Sequence, residues 1–479
     1  MHKVMDIKTF LSEDKSIIIA PAGYGKTFTI AEAISVYNGN KKVLVLTHTH
    51  AGIASLREKF EQKGLASSVY HLDTICSFAL DLTNTFHIPK NEIPKASEAD
   101  ALFDFAVEHA TLILKANPIK QLLSIKYEHL IVDEYQDCTV AQHQMVLELA
   151  KTLKTHLLGD PLQGIFDFRG QHIVDFNDDS FCPFLQNRQL LETPWRWKNA
   201  GQDALGQDLA RIREKLLSRE DIDLKQYHSI KWVQGADDDY AKPQTNVKKE
   251  LFRELNRGAV FIHPNCSSIG QRKAVVMHYP QLQLIEPIDG RDYYTYCQLF
   301  DKHSGQAVIK DVTDMMRKVC KNDAINNWIK ADGTLINKRR QEDQAIKSKL
   351  ESAFSPLLKN KTYLKIANLI VAIAKLPGIV IYRKEFIRDL YYTLVDADRL
   401  GLTAMEAIVR SRNILRRKGR KMTQKSIGTT LLTKGLEFDN VVVLNAHLFK
   451  DPRHLYVALT RCCKRLVVIS NSDVLHPYE

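Results

Sequence analysis

The stretch that most constrains this chain runs from Ser16 to Thr27. An apolar run at 16–20 leads into Ala20-Pro21-Ala22-Gly23-Tyr24-Gly25-Lys26-Thr27, and a helical pattern follows. This is the spacing of a phosphate-binding loop, with Ala20 where the general pattern has its first glycine. Glycines let successive backbone N–H groups wrap the β- and γ-phosphates, a lysine neutralises them, and a hydroxyl holds Mg²⁺. Gly23, Gly25, Lys26 and Thr27 supply these parts, so the chain is expected to bind a nucleoside triphosphate within an α/β domain.

Such a site also needs carboxylates. Leu130-Ile131-Val132-Asp133-Glu134 places two of them at the end of an apolar strand, where ligands sit in open α/β sheets. Asp133 is expected to hold Mg²⁺ through water, and Glu134 to orient or deprotonate the attacking water. Further strands are expected at 16–20, 42–46 and 155–158, and the pattern returns at 440–444 and 466–470. Residues 84–126 read as a small, mostly helical insertion. Residues 291–425 read as lysine-rich helices without sheet-like alternation.

The remaining composition narrows the class. Of 479 residues, 44% are hydrophobic and 26% charged, as in ordinary globular proteins. The net charge of +11 favours a polyanionic partner such as nucleic acid and is equally compatible with solubility. Eight dispersed cysteines form no CxxC pair, which argues against a zinc ribbon and for a reduced, cytoplasmic setting. The most apolar later stretch, 366–382, is broken by Asn368, Lys375 and Pro377, so no membrane span is expected.

With these motifs in place, the sequence resembles the UvrD/Rep/PcrA group of superfamily 1 helicases. Asp133-Glu134-Tyr135-Gln136-Asp137 is similar to motif II of that group, and residues 159–170, from Gly159-Asp160-Pro161 to Phe168-Arg169-Gly170, to motif III. Thr193-Pro194-Trp195-Arg196 falls at motif IV, residues 430–439 at motif V and residues 455–461 at motif VI.

The resemblance implies two RecA-like P-loop NTPase domains with parallel sheets and a helical insertion domain. The first would cover 1–185, the second 186–285 with 425–479, and the insertion 286–424. It implies that Gln163 senses the γ-phosphate, that Arg196 and Arg461 reach it, and that Trp195 stacks on the base. Ala22, Gly23, Tyr24, Gly25, Lys26, Thr27, Phe28, Gly435 and Glu437 complete the ATP site, with Glu437 on the ribose and Thr27 and Asp133 on Mg²⁺. DNA contacts are expected from Thr47, His48, Thr74, Phe168 and Arg169. The motif II and V patterns imply 3′-to-5′ movement on single-stranded or tailed duplex DNA.

The chain departs from that group in several places. No glutamine precedes Gln62, so the residue that reads the adenine edge is missing; Phe28 replaces an arginine, and a Phe28–Trp195 sandwich is expected around the base. Leu431, Pro194 and Cys76 replace a histidine, an asparagine and a histidine of the group's motifs. The sequence ends 18 residues after Arg461, so no fused nuclease is expected there. The alternative reading is therefore a DNA-responsive NTPase subunit, resembling the helicase-like subunits of Gabija-type antiphage systems, with a nuclease as partner protein. A basic run of Arg410, Arg412, Arg416, Arg417, Lys418, Arg420, Lys421 and Lys425 is either a contact for DNA phosphates or a solvated face.

Overall fold

The computed structural model describes residues 7–87, 89, 92–94, 99–166, 172–236, 245–264, 269–287, 290–418 and 424–478. Its strands are β1 (Lys15–Ile19), β2 (Lys42–Thr47), β3 (Tyr70–Thr74), β4 (Tyr127–Val132), β5 (Lys154–Gly159), β6 (Arg188–Leu190), β7 (Ile222–Asp223), β8 (Ile230–Gln234), β9 (Val260–His263), β10 (Gln283–Leu284), β11 (Ser426–Thr429), β12 (Phe438–Val443), β13 (Cys462–Ser470) and β14 (Val474–Leu475). The class is α/β, with parallel strands and surrounding helices. Two compact units divide the chain: Met1–Gln234 with Lys434–Glu479, and Gly235–Thr433.

In the first unit, a sheet in the order β3-β2-β4-β5-β1-β6 is parallel throughout. Its central strands are nearly continuous buried runs such as KVLVLT and YEHLIV, as expected of a sheet covered on both faces. Every strand ends on the same edge, and that edge carries the phosphate loop after β1, Thr47 at the end of β2, Asp133 after β4 and Asp160 after β5. The same unit holds the parallel set β12-β13-β8 and the antiparallel pair β7-β14.

The insertion expected at 84–126 is helical where described, with helices Ala99–Ile113 and Asn117–Lys126 after Ile75–Phe86. The edge strand β3 has no clear sequence signal: four of its five residues, YHLDT, are only half-buried.

In the second unit β10, β11 and β9 pair in parallel. The rest is helical, as the sequence suggests: Arg291–Lys302, Gly305–Val319, Asn322–Asn326, Gln341–Lys359, Tyr363–Ala374, Lys384–Leu400 and Ala404–Lys418. These helices bury a core that includes Phe300, Met316, Ile370, Leu390 and Ile408. Charge is distributed unequally between the units. Residues Gly235–Thr433 hold 35 Lys and Arg against 21 Asp and Glu, a net +14, while the remainder holds 32 against 35, a net −3. The positive excess of the whole chain thus belongs to the second unit.

One expectation for that excess is corrected. Arg412 is buried: its guanidinium lies 3.9 Å from the Tyr293 ring centre and 3.1 Å from Asp389 Oδ2. It continues the inward face of its helix four residues beyond Ile408, so it serves the core. Arg410 is exposed. Lys425 is half-buried with φ 61°. The side chains of Arg416, Arg417, Lys418, Arg420 and Lys421 lie outside the described residues.

Candidate nucleotide site

The phosphate loop is held in a conformation that its glycines permit. Gly23 and Gly25 have φ of 78° and 87°, and Gly25 caps the helix Lys26–Val36. A side chain at Gly23 would also meet Arg196 Cβ at 2.9 Å, so only glycine fits on both counts. Arg196 N donates to the Gly23 carbonyl at 2.9 Å, and Ala22 N donates to the Tyr456 hydroxyl at 3.2 Å. The loop is thereby tied to the segments that carry motifs IV and VI.

A cleft of about 690 Å³ opens at this edge. It brings together Ala22, Gly23, Gly25, Lys26, Thr27, Phe28, Thr47, His48, Asp133, Glu134, Gln163, Trp195, Arg196, Gly435, Glu437 and Arg461, all within the first unit. Tyr24 and Thr74 do not line it. Tyr24 is buried, and the Thr74 hydroxyl accepts from Ser77 N at 3.0 Å as the cap of the helix Ile75–Phe86. The Thr74 side chain is buried as well, so its hydroxyl is not presented to a ligand. Phe168 and Arg169 lie outside the described residues.

Charge is concentrated at the cleft floor. Lys26 Nζ lies 2.7 Å from Glu134 Oε2 and 3.9 Å from Asp133 Oδ1. Burial pushes the Asp133 carboxyl up to about 7, against the pull of Lys26. Burial also acts to raise Glu134, but Lys26 and Lys434 overrule it and hold this carboxyl at about 2. The two carboxyls therefore differ in chemistry: the lysines favour the ionised form of Glu134, while burial favours the neutral form of Asp133. Glu134 also occupies a left-handed backbone conformation, φ 54° and ψ 40°, which is uncommon for a residue with a side chain.

Mg²⁺ takes oxygen ligands and keeps several waters, so few protein groups are required. The Thr27 hydroxyl and the Asp133 carboxylate, both at the cleft, fit that donor set. Among the described residues no cluster of three or more His, Cys, Asp or Glu forms a closed metal cage.

Several positions flank the phosphate end. Gln163 Nε2 donates to Asp160 Oδ2 at 3.1 Å, and Arg461 Nη2 approaches Gln163 Oε1 at 3.5 Å. Asp160 is fully buried and pairs with Arg213 at 2.8 Å. Burial lowers the Arg461 guanidinium to about 10, which still leaves it cationic at neutral pH. Arg196 donates to Glu437 Oε1 at 2.6 Å and to the Thr460 carbonyl. At the other end Phe28 and Trp195 are 53% and 46% exposed, so both rings have free surface at the cleft.

Sequence reasoning missed an ion pair in the cleft wall. Lys434 Nζ donates to both oxygens of Asp137, at 2.5 and 2.6 Å, and to the Gln163 carbonyl at 2.5 Å. Both residues fall inside quoted motifs, yet 297 positions separate them and no spacing signals the pairing. His48 stands nearby, with Nε2 3.3 Å from Cys138 Sγ. Burial and the Lys434 charge lower its imidazole to about 3, so it is neutral at physiological pH.

Comparison with known proteins places these features in context. The AAA domain family matches residues 5–169. RecBCD enzyme subunit RecB of Buchnera aphidicola subsp. Schizaphis graminum is 34% identical over 86 residues, 18% of this chain and 7% of that protein. An ATP-dependent helicase/nuclease subunit from Streptococcus agalactiae is 32% identical over 128 residues, 26% of this chain and 10% of that protein. The chain thus matches no more than a tenth of the length of these relatives. The Pif1 helicase from Candida albicans aligns over 98% of this chain and 96% of its own, at 14% identity and a TM-score of 0.40, a likeness too loose to bear on direction of travel. No helix among the described residues is long and apolar enough to cross a membrane.

Proposed function

We propose that this chain is a superfamily 1 helicase, an ATP-dependent 3′-to-5′ DNA translocase that unwinds duplex. The observation that carries the reading is the convergence of Lys26, Asp133, Glu134, Gln163 and Arg461 on one cleft. Lys26 turns from the carboxylates to the β- and γ-phosphates. Bound Mg²⁺, held by Thr27 and Asp133, would neutralise phosphate charge. Glu134 orients the attacking water and takes its proton, and Arg461 stabilises charge on the transferred phosphoryl group. Phe28 and Trp195 clasp the base. Arg196 exchanges its Glu437 contact for phosphate, which frees Glu437 to accept from the ribose.

Motif ties between the phosphate loop and the segments around Arg196 and Tyr456 support coupling of the nucleotide cycle to movement of two RecA-like lobes, 1–185 and 186–285 with 425–479. The 3′-to-5′ direction rests on the similarity of motifs II and V to the UvrD/Rep/PcrA group. The net +14 of Gly235–Thr433 supports nucleic acid as the polyanion, with 286–424 as the helical insertion that meets it. Lys26→Ala should abolish DNA-stimulated ATP hydrolysis while leaving DNA affinity intact. Full turnover in that variant would remove the foundation of the reading.

One observation favours a second reading, in which the chain is the NTPase component of a complex with a nuclease. Both sequence relatives are named as subunits. A 3′-tailed duplex assay on the isolated chain separates the two: unwinding supports the motor, and hydrolysis without strand separation supports the component of a complex.

A further inference from the structure

Gln136 lies in the single helical turn Tyr135–Asp137 that follows the motif II carboxylates, and it is 1% exposed. Its side-chain amide is engaged at both ends. Nε2 donates to Glu134 Oε2 at 2.5 Å, and Oε1 accepts from Asp160 N at 3.0 Å. The amide therefore bridges the exits of two neighbouring strands, β4 and β5, and ties a carboxylate on one to the backbone of the other. Glycines keep room for this bridge: a Cβ at Gly159 would meet Gln136 Oε1 at 2.9 Å, and one at Gly164 would meet the Gln136 carbonyl at 3.0 Å. A methyl group at either position would have to displace Gln136.

The contacts at Glu134 fall on one oxygen. Oε2 meets both Gln136 Nε2 and, at 2.7 Å, Lys26 Nζ, whereas Oε1 forms no hydrogen bond or ion pair among the described residues. The Glu134 side chain is 33% exposed and borders the cleft, so Oε1 is the oxygen left for a water. In the hydrolase reading above, Lys26 leaves Glu134 for the nucleotide phosphates. Among the described residues Gln136 is then the group still hydrogen-bonded to that carboxylate, and an amide anchored on the β5 backbone does not follow the lysine. Without it the carboxylate would turn freely, because its terminal torsion is broad. We propose that Gln136 is the positioning residue of the hydrolytic centre: its amide N–H holds Oε2 of Glu134 and so turns Oε1 toward the water that attacks the γ-phosphorus. This rests on the hydrolase reading. A neutral amide suits the task, since it fixes the carboxylate without cancelling the charge that draws the proton, which a permanent lysine partner would do.

The test uses the full chain with ATP, Mg²⁺ and single-stranded DNA. Gln136→Met keeps the length of the side chain and removes the amide. The expected result is a fall in kcat of about tenfold or more, as for losing a hydrogen bond to a charged group, with ATP KM and DNA Kd unchanged within about twofold. Asp160 N also loses its acceptor in this variant, so the route is read from two further backgrounds. In Glu134→Gln the proton acceptor is gone, and adding Gln136→Met should lower the residual kcat by less than about twofold; in Gln163→Ala it should keep its full effect. Gln136→Asn, too short to span Glu134 and Asp160 together, gives the same comparison should the Met variant not fold. Wild-type kcat in these variants would overturn the assignment. So would a tenfold loss that persists in Glu134→Gln, since the amide would then act through Asp160 and Gln163. A wild-type chain that hydrolyses no nucleotide would overturn the hydrolase reading itself, a result distinct from any variant outcome.

Discussion

The buried Asp160–Arg213 pair offers a sharp test of how the site is held. Asp160 accepts from Arg213 Nη2 at 2.8 Å, from Leu162 N at 3.3 Å and from Gln163 Nε2 at 3.1 Å. Arg213→Met strands a buried carboxylate that keeps two of these donors, so the cost should lie near 3 kcal/mol, the low end for breaking a buried pair. Asp160→Asn strands a guanidinium whose Nε already has no partner among the described residues, so the cost should approach 5 kcal/mol. The double variant removes both charges and should cost less than the sum by about 3 kcal/mol. Urea unfolding followed by tryptophan fluorescence measures all three.

Kinetics adds a second discriminant. In Asp160→Asn an amide N–H₂ replaces one acceptor, and in either orientation Gln163 or the loop loses its anchor. A displacement of about 1 Å at such a site costs about 10²-fold in rate, so kcat should fall far more in Asp160→Asn than in Arg213→Met. Additive costs, or equal kcat in the two single variants, would refute the view that this pair positions Gln163.

Two further expectations follow from the same geometry. Trp195→Ala removes one wall of the proposed base site, and at about 1 to 3 kcal/mol per stacked base the ATP KM should rise roughly 5- to 150-fold with little change in kcat; an unchanged KM excludes the sandwich. Acid should weaken the sheet core through His156, whose Nδ1 meets Ser16 Oγ at 2.8 Å and whose Nε2 meets His129 at 3.0 Å. Burial holds this imidazole well below its ordinary value, so its contribution is complete above about pH 6.5 and is lost as pH falls below that. Asp133 and Asp137, raised to about 7 by burial, act in the opposite direction. The measurement is therefore the stability difference between wild type and His156→Gln at pH 7.5 and pH 5, and a pH-independent difference would refute it.

What the sequence disclosed depended on how local each signal was. The strands that became β1, β2, β4, β5, β12 and β13 are legible because strands buried on both faces read as unbroken apolar runs. β3 was not, since YHLDT lies at the sheet edge, and β9 and β11 are only four residues long. The phosphate loop and the Asp133–Glu134 pair are contiguous and carry their chemistry in their spacing. The Lys434–Asp137 pair is not contiguous, and no periodicity connects its members. Arg412 shows the reverse error: a run of like charge suggested a polar face, while Ala404 and Ile408 at four-residue steps already marked position 412 as inward. Thr47 was legible as part of a motif, but its burial, and so its side of the sheet edge, was not.

The left-handed backbone at Glu134 has a consequence for how such a protein is lost. That conformation costs about 1 kcal/mol or more with a side chain and almost nothing with glycine. The position proposed to activate water is thus one where the backbone alone would prefer a residue that cannot. Glu134→Gly should recover that backbone strain against the loss of the 2.7 Å Lys26 ion pair, and leave a chain still able to grip nucleotide and polyanion, and inert. Mutational drift at this position would leave an intact competitor in place of an unfolded protein that quality control removes.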